Sequence, residues 1–107
     1  MSEAVLQQQI RLALGQRDDI MMFRINVGLF RPVSGNAGVV RSAPEGTPDL
    51  LGVMGPNGKA FAIEVKAPKG KQRTAQVAWQ HAWEKRGGIY ILARSLEDVY
   101  QGLDIQP

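Results

Sequence analysis

The chain has 107 residues, 44% of them hydrophobic, with no cysteine, one histidine and a formal net charge of +3. That length and apolar content predict a single domain over 1–107, and no apolar run approaches the roughly 20 residues of a membrane span. With neither a basic leader nor a long hydrophobic start, the expected protein is soluble and cytoplasmic, without a membrane partner. The lack of cysteine excludes disulfides and thiolate chemistry. His81 alone excludes a histidine-rich metal site within one subunit, so any metal would rest on oxygen donors, favouring magnesium, manganese or calcium over zinc.

Ser2 is placed to cap a first helix running to about Gln16, with Leu6, Ile10, Ala13 and Leu14 as its apolar stripe. Glu3 falls in the first turn, where it reads either as a favourable charge at the positive helix end or as a carboxylate delivered to a site. By position alone the first reading is favoured. Met21, Phe23, Ile25 and Val27 alternate with Met22, Arg24 and Asn26, which predicts a half-buried strand with the second set on its polar face. Arg24 and Asn26 are there either solvated or in contact with a substrate. From Gly28 to Thr47 the chain is glycine-rich and irregular, with Val39-Val40-Arg41 as a short strand. Arg31 and Arg41 in this segment are candidates for phosphate contact. A P-loop is excluded because the Gly-Lys-Ser/Thr ending is absent.

Gly46 to Lys66 reads as a β-hairpin about the turn Gly55-Pro56-Asn57-Gly58, where Asn57 or Gly58 takes a left-handed conformation. Folding about that turn sets Met54 opposite Lys59 and, counting outward, Asp49 opposite Glu64. A bulge at Gly58 would move the register by about one residue. Phe61, Ile63 and Val65 lie on one face of the returning strand, Glu64 and Lys66 on the other. Two carboxylates brought level repel one another and call for a cation, either Lys66 or a bound metal.

Ala67 to Arg73 is a basic loop, and Lys69, Lys71 and Arg73 in it are read as phosphate contacts because they adjoin the acidic pair. Together with Arg24, Arg31, Arg41 and Lys66 they surround the hairpin with positive charge, which suits an anionic partner. Thr74 is expected to cap a second helix through about Arg86, closed by Gly87-Gly88. Its stripe of Ala75, Ala78, Trp79, Ala82 and Trp83 predicts that the two tryptophans are core rather than base-stacking groups. Gln76 lies near the helix start, within reach of the hairpin, and His81 falls on the surface. Ile89 to Ala93 suits a buried strand, and Ser95 with Asp98 forms a capping box before a last helix containing Leu96, Val99, Tyr100 and Leu103.

Pro48-Asp49 followed by Glu64-Val65-Lys66 resembles the PD-(D/E)XK nuclease pattern. A wider set gives the likeness its specificity: Glu3, Arg24-Ile25-Asn26 with Gly28, Gly46-Thr47-Pro48-Asp49-Leu50, Gln76 followed by Trp79, and Gly87-Gly88. Together these resemble the VRR-NUC family, in particular its small stand-alone members from phages and bacteria, over almost the whole chain. The Val-Arg-Arg triplet itself is absent, Val39-Val40-Arg41 being the nearest string.

The resemblance implies an α/β fold with a restriction-endonuclease-like PD-(D/E)XK core, a mixed central β-sheet flanked by helices. It also implies catalytic roles for Lys66, Asp49, Glu64, Gln76 and Glu3. A Mg2+ or Mn2+ ion would be held by Asp49, Glu64, the Val65 carbonyl and Glu3, with Lys66 positioning or activating the attacking water. For Glu3 this reverses the reading from position alone. The implied activity is metal-dependent DNA endonuclease cleavage in a bacterial or phage-infected cell, by a homodimer acting on branched DNA such as Holliday junctions. An archaeal-type junction resolvase or restriction-like nuclease would share the same centre. From a different class, a non-catalytic nucleic-acid-binding module would keep the fold without the chemistry, but would have no chemical need for Asp49, Glu64 and Lys66 together.

Overall fold

The computed structural model describes residues 1–25, 29–30, 38, 40–41 and 43–107, and of residues 29, 30, 40 and 41 the backbone alone. Helix α1 covers Glu3–Gly15, and Ser2 caps it by accepting from the Val5 amide at 3.2 Å. Strand β1 is Ile20–Arg24. Two short strands, β2 (Leu29–Phe30) and β3 (Val40–Arg41), pair antiparallel in a separate two-stranded sheet. β4 (Leu50–Met54) and β5 (Lys59–Val65) form the hairpin, followed by α2 (Thr74–Lys85), β6 (Ile89–Ala93) and α3 (Leu96–Leu103). The strand β2 has no counterpart in the sequence reading, because Leu29-Phe30 is too short to show a period.

The main sheet has the order β1-β4-β5-β6, antiparallel except for the β5–β6 pair. It is therefore mixed, and α2 makes the crossover that a parallel pair requires. Hairpin register runs from Met54 opposite Lys59 to Leu50 opposite Ile63, as the turn sequence predicts. Gly58 supplies the left-handed residue at φ +69°. One step beyond the last ladder pair, Asp49 comes level with Glu64.

Alternation assigns the two faces. Leu50, Phe61, Ile63, Val65, Ile91 and Ala93 turn toward α1 and α3, where they meet Leu6, Ile10, Leu14, Val99 and Leu103 in one apolar cluster. Each large side chain buried there stabilises the fold by about 1.5–3 kcal/mol. The opposite face carries Leu51, Val53, Ala62, Glu64 and Tyr90 and is partly covered by α2. β5 is the central strand, with every residue from Phe61 to Val65 buried.

Three expectations are corrected. The phase of β1 is inverted: Ile20 and Met22 pack on the core, whereas Met21 is 69% and Phe23 53% exposed. Ile20-Met21-Met22-Phe23 is apolar throughout, so alternation cannot set its phase; α1, packed against one face, does so. Trp79 and Trp83 are half-buried rather than core, and Gln76 is the buried residue of α2. Thr74 is the first helical residue rather than the cap, which is Arg73. An arginine side chain carries no acceptor for the first helical amides, so only the reciprocal half of a capping box forms, with Gln76 Oε1 accepting from the Arg73 amide at 2.8 Å. The last helix starts as expected, with Ser95 Oγ accepting from the Asp98 amide and Asp98 Oδ2 from the Arg94 amide. His81 is exposed, as read.

Candidate active site

At the open end of the hairpin, a cleft of about 540 Å³ is lined by Glu3, Asp49, Glu64, Val65, Lys66 and Gln76. Each arrives from a different constraint. Glu3 comes from the first turn of α1, and its Oε2 accepts from the Ala67 amide at 3.1 Å, tying the helix start to the end of β5. Asp49 ends the Thr47-Pro48-Asp49 turn, where its carbonyl accepts from the Ile25 amide at 2.6 Å and its Oδ2 from Gln7 Nε2 at 3.1 Å. Glu64 and Lys66 follow β5 alternation onto the α2 side, with Lys66 Nζ 3.9 Å from Glu64 Oε1.

The turn before Asp49 is held against α2 by a close backbone approach. Gly46 has φ +89°, and a Cβ there would lie 2.2 Å from the Ala75 carbonyl oxygen. Glycine meets both demands. Thr47 then closes the turn on itself, its hydroxyl donating to the Pro44 carbonyl at 2.6 Å.

Glu64 sits only 6% exposed and Gln76 5% exposed. Because the Gln76 carbonyl oxygen is committed to the Arg73 amide, its NH2 is directed at Glu64 Oε1, to which it donates. Burial pushes the Glu64 carboxyl up to about 7; Lys66 opposes the shift, Asp49 adds to it, Arg73 opposes it and Glu3 adds to it. The carboxyl is thus short of positive charge despite having a lysine beside it.

Lys71 and Arg73 also line the cleft. Their loop is braced: Arg94 donates to the Gly70 carbonyl at 2.8 Å, and Gln72 donates to Gln80 Oε1 and to the Tyr90 hydroxyl, each at 3.0 Å. Burial raises the Tyr90 pKa to about 12, keeping it a neutral phenol. Among the described residues, Lys69 and Arg24 stand outside the cleft lining; Lys69 is in the same loop and Arg24 ends β1, exposed. Asn26 and Arg31 lie outside the described residues, and so does the Arg41 side chain.

Sequence reasoning missed Gln7 and Arg94, and gave Thr47 no role beyond its place in the Gly46–Leu50 motif. Gln7 lies in a Gln7-Gln8-Gln9 run with no distinguishing mark, although four residues after Glu3 it shares that residue's helix face. Among the described residues no three acidic or imidazole groups stand close enough to hold an ion as the side chains now lie, since Glu3 and Asp49 are turned to Ala67 and Gln7. The donor chemistry nonetheless fits a hard divalent cation. Three carboxylates line one cleft with Val65, the carboxylates offering oxygen, and Glu64 is buried without enough compensating charge.

No curated protein matches the chain. A solved structure described as a VRR_NUC domain superposes with a TM-score of 0.61 at 20% sequence identity, covering 97% of each chain. That likeness establishes the fold. The sequence profile of the VRR-NUC domain family matches residues 7–97. The chain belongs to the VRR-NUC family of nuclease domains.

Proposed function

We propose that residues 1–107 act as one divalent-metal-dependent endodeoxyribonuclease domain, selective for branched DNA such as four-way junctions. The observation that carries the reading is the convergence of Glu3, Asp49, Glu64, Lys66 and Gln76 on one cleft, with Glu64 buried and short of positive charge. Asp49, Glu64, the Val65 carbonyl and Glu3 are the donors for Mg2+ or Mn2+. When bound, such an ion would supply Lewis-acid stabilisation of the phosphate and acidify a water.

The chain's own groups divide the remaining work. Lys66 Nζ, 3.9 Å from Glu64, faces the cleft and orients the attacking water by hydrogen bond. Gln76 holds the Glu64 carboxylate in one orientation through its donated amide bond. Lys71 and Arg73 meet the backbone phosphates flanking the cut, with Lys69, Arg24, Asn26, Arg31 and Arg41 extending that contact. Phosphate contacts fix register without reading sequence, which suits an enzyme that recognises DNA shape. One centre cuts one strand, so paired incisions at a junction call for two centres in a homodimer related by a two-fold axis. The working compartment is the cytoplasm of a bacterial or phage-infected cell.

The test is a Mg2+ and Mn2+ titration on labelled four-way junction and linear duplex, with Lys66→Ala and Asp49→Asn as controls. Junction cleavage that needs the ion and is lost in both variants is expected. Cleavage that persists in EDTA or in both variants would overturn the site, and binding without cleavage would favour a non-catalytic module. A monomer in sedimentation that cuts duplex and junction equally would remove the dimeric, junction-selective part.

A further inference from the structure

Beyond the cleft, α2 carries a second feature that the nuclease reading leaves unused. Gln76, Trp79 and Trp83 fall at i, i+3 and i+7, one stripe that starts in the cleft and runs roughly 10 Å along the helix. The two tryptophans stack with ring centroids 4.8 Å apart and planes at 22°. With Ile25, Pro44, Thr47 and Leu51 they line an apolar groove of about 530 Å³, rimmed by Arg86. Thr47 lines both the groove and the cleft, so the two are neighbours on either side of one residue.

The chemistry of the groove is specific about its occupant. The Trp83 indole N–H is already used, donating to the Ile89 carbonyl at 2.9 Å, and its ring packs on Trp79 and Gly88, so the pair offers the groove the remaining aromatic surface rather than that hydrogen bond. Flat aromatic surfaces favour a flat, polarisable partner. Cations stand at both ends of the helix, Arg73 at the cleft and Arg86 at the far rim, which favours a partner carrying negative charge at intervals. A nucleic-acid strand has both properties, but only where its bases are unpaired, because a duplex keeps their faces covered.

Resting on the nuclease reading, we propose that the Trp79–Trp83 groove binds an unpaired nucleobase next to the phosphate held in the cleft. The separation along α2 corresponds to a base one or two nucleotides from the cut. Substrate selection then comes from a nucleotide unstacked at that point, already free at a flap or a frayed end and released by opening of a pair where strands exchange at a junction. Sequence has little part in it, since every base has a face to stack.

Both tryptophans of the chain lie in this groove, so intrinsic fluorescence reports on it directly. In metal-free buffer, where no cutting occurs, the protein is titrated with a 15-nucleotide single strand and with a strand of equal length and charge built from abasic residues. Quenching by the base-bearing strand and little by the abasic one is expected. Trp79→Leu should weaken base-bearing strand binding about tenfold while leaving the abasic strand unmoved, and Trp79→Phe should restore most of it. Circular dichroism of the variants checks that α2 remains folded. Equal quenching by the two strands, or unchanged affinity in Trp79→Leu, would overturn the proposal. So would a dimer, formed without DNA and lost in Trp79→Leu, that shifts the emission with protein concentration, since the groove would then belong to a second copy of the chain. Failure of Mg2+-dependent cleavage on every DNA would instead strike the nuclease reading and leave the quenching result standing.

Discussion

Gln76 donates its amide to Glu64 because its carbonyl oxygen is already held by the amide of Arg73. A helix cap therefore orients a buried carboxylate in the cleft. Replacing Gln76 by leucine removes the cap acceptor and leaves Glu64 short of a donor. The expected cost is about 1–3 kcal/mol of stability for the unsatisfied buried group, read from urea unfolding in EDTA. Mg2+ should narrow the gap between variant and wild type if Glu64 is a metal donor.

The metal-free protein should lose stability as pH rises. The Glu64 carboxyl is raised from 4.5 to about 7, chiefly by burial, so the folded state holds a proton that the unfolded chain releases earlier. Its contribution is fully present below about 4.5 and is lost as pH passes through about 7. Thermal unfolding in EDTA between pH 4.5 and 8 should show this slope, and Glu64→Gln should flatten it. Adding Mg2+ should raise the melting temperature more at pH 8 than at pH 5, since the ion competes with the proton. A wild-type profile parallel to that of Glu64→Gln would count against the assignment.

Gln7 holds Asp49 at 3.1 Å from the first helix. Gln7→Ala should leave the fold nearly unchanged and weaken the apparent Mg2+ affinity about 10- to 100-fold, the usual effect of removing a group that orients a metal-binding carboxylate. The Mg2+ concentration giving half-maximal cleavage measures this. A fall in maximal rate at unchanged half-saturation would place Gln7 in another role.

Gly46→Ala combines a left-handed backbone with a clash against the Ala75 carbonyl. Destabilisation of about 1–3 kcal/mol is expected from the strained conformation, with the start of α2 pushed away from the Thr47-Pro48-Asp49 turn. Gly15→Ala is the control, because a Cβ at that helical position meets nothing within 4 Å. The two are compared by denaturant midpoint and by cleavage rate, and Gly46→Ala alone should lose both.

The hairpin was the most legible part of the chain. Four turn residues and a clean alternation bring Asp49 near Glu64 on the sequence alone, and the ladder from Met54–Lys59 to Leu50–Ile63 decides against the one-residue shift that a bulge at Gly58 would cause. Ile20 to Phe23 defeated the same logic, because four consecutive apolar residues carry no period and the face was chosen by α1. The α2 stripe was visible, but periodicity names a face without saying what covers it. α2 leaves part of the sheet bare, with Met21, Phe23 and Val53 exposed and the tryptophans open to the groove. Gln7 was invisible among neighbouring glutamines, since its role comes from a contact 42 residues away.

That separation has a consequence for when the site exists. Glu3 meets Ala67 across 64 residues, Gln7 meets Asp49 across 42, and Gln76 meets Glu64 from the helix that follows the hairpin. A chain emerging from the ribosome carries the acidic pair long before α2 can orient it. A truncated or partly synthesised copy ending before Gln76 therefore carries both carboxylates but lacks the glutamine that orients Glu64.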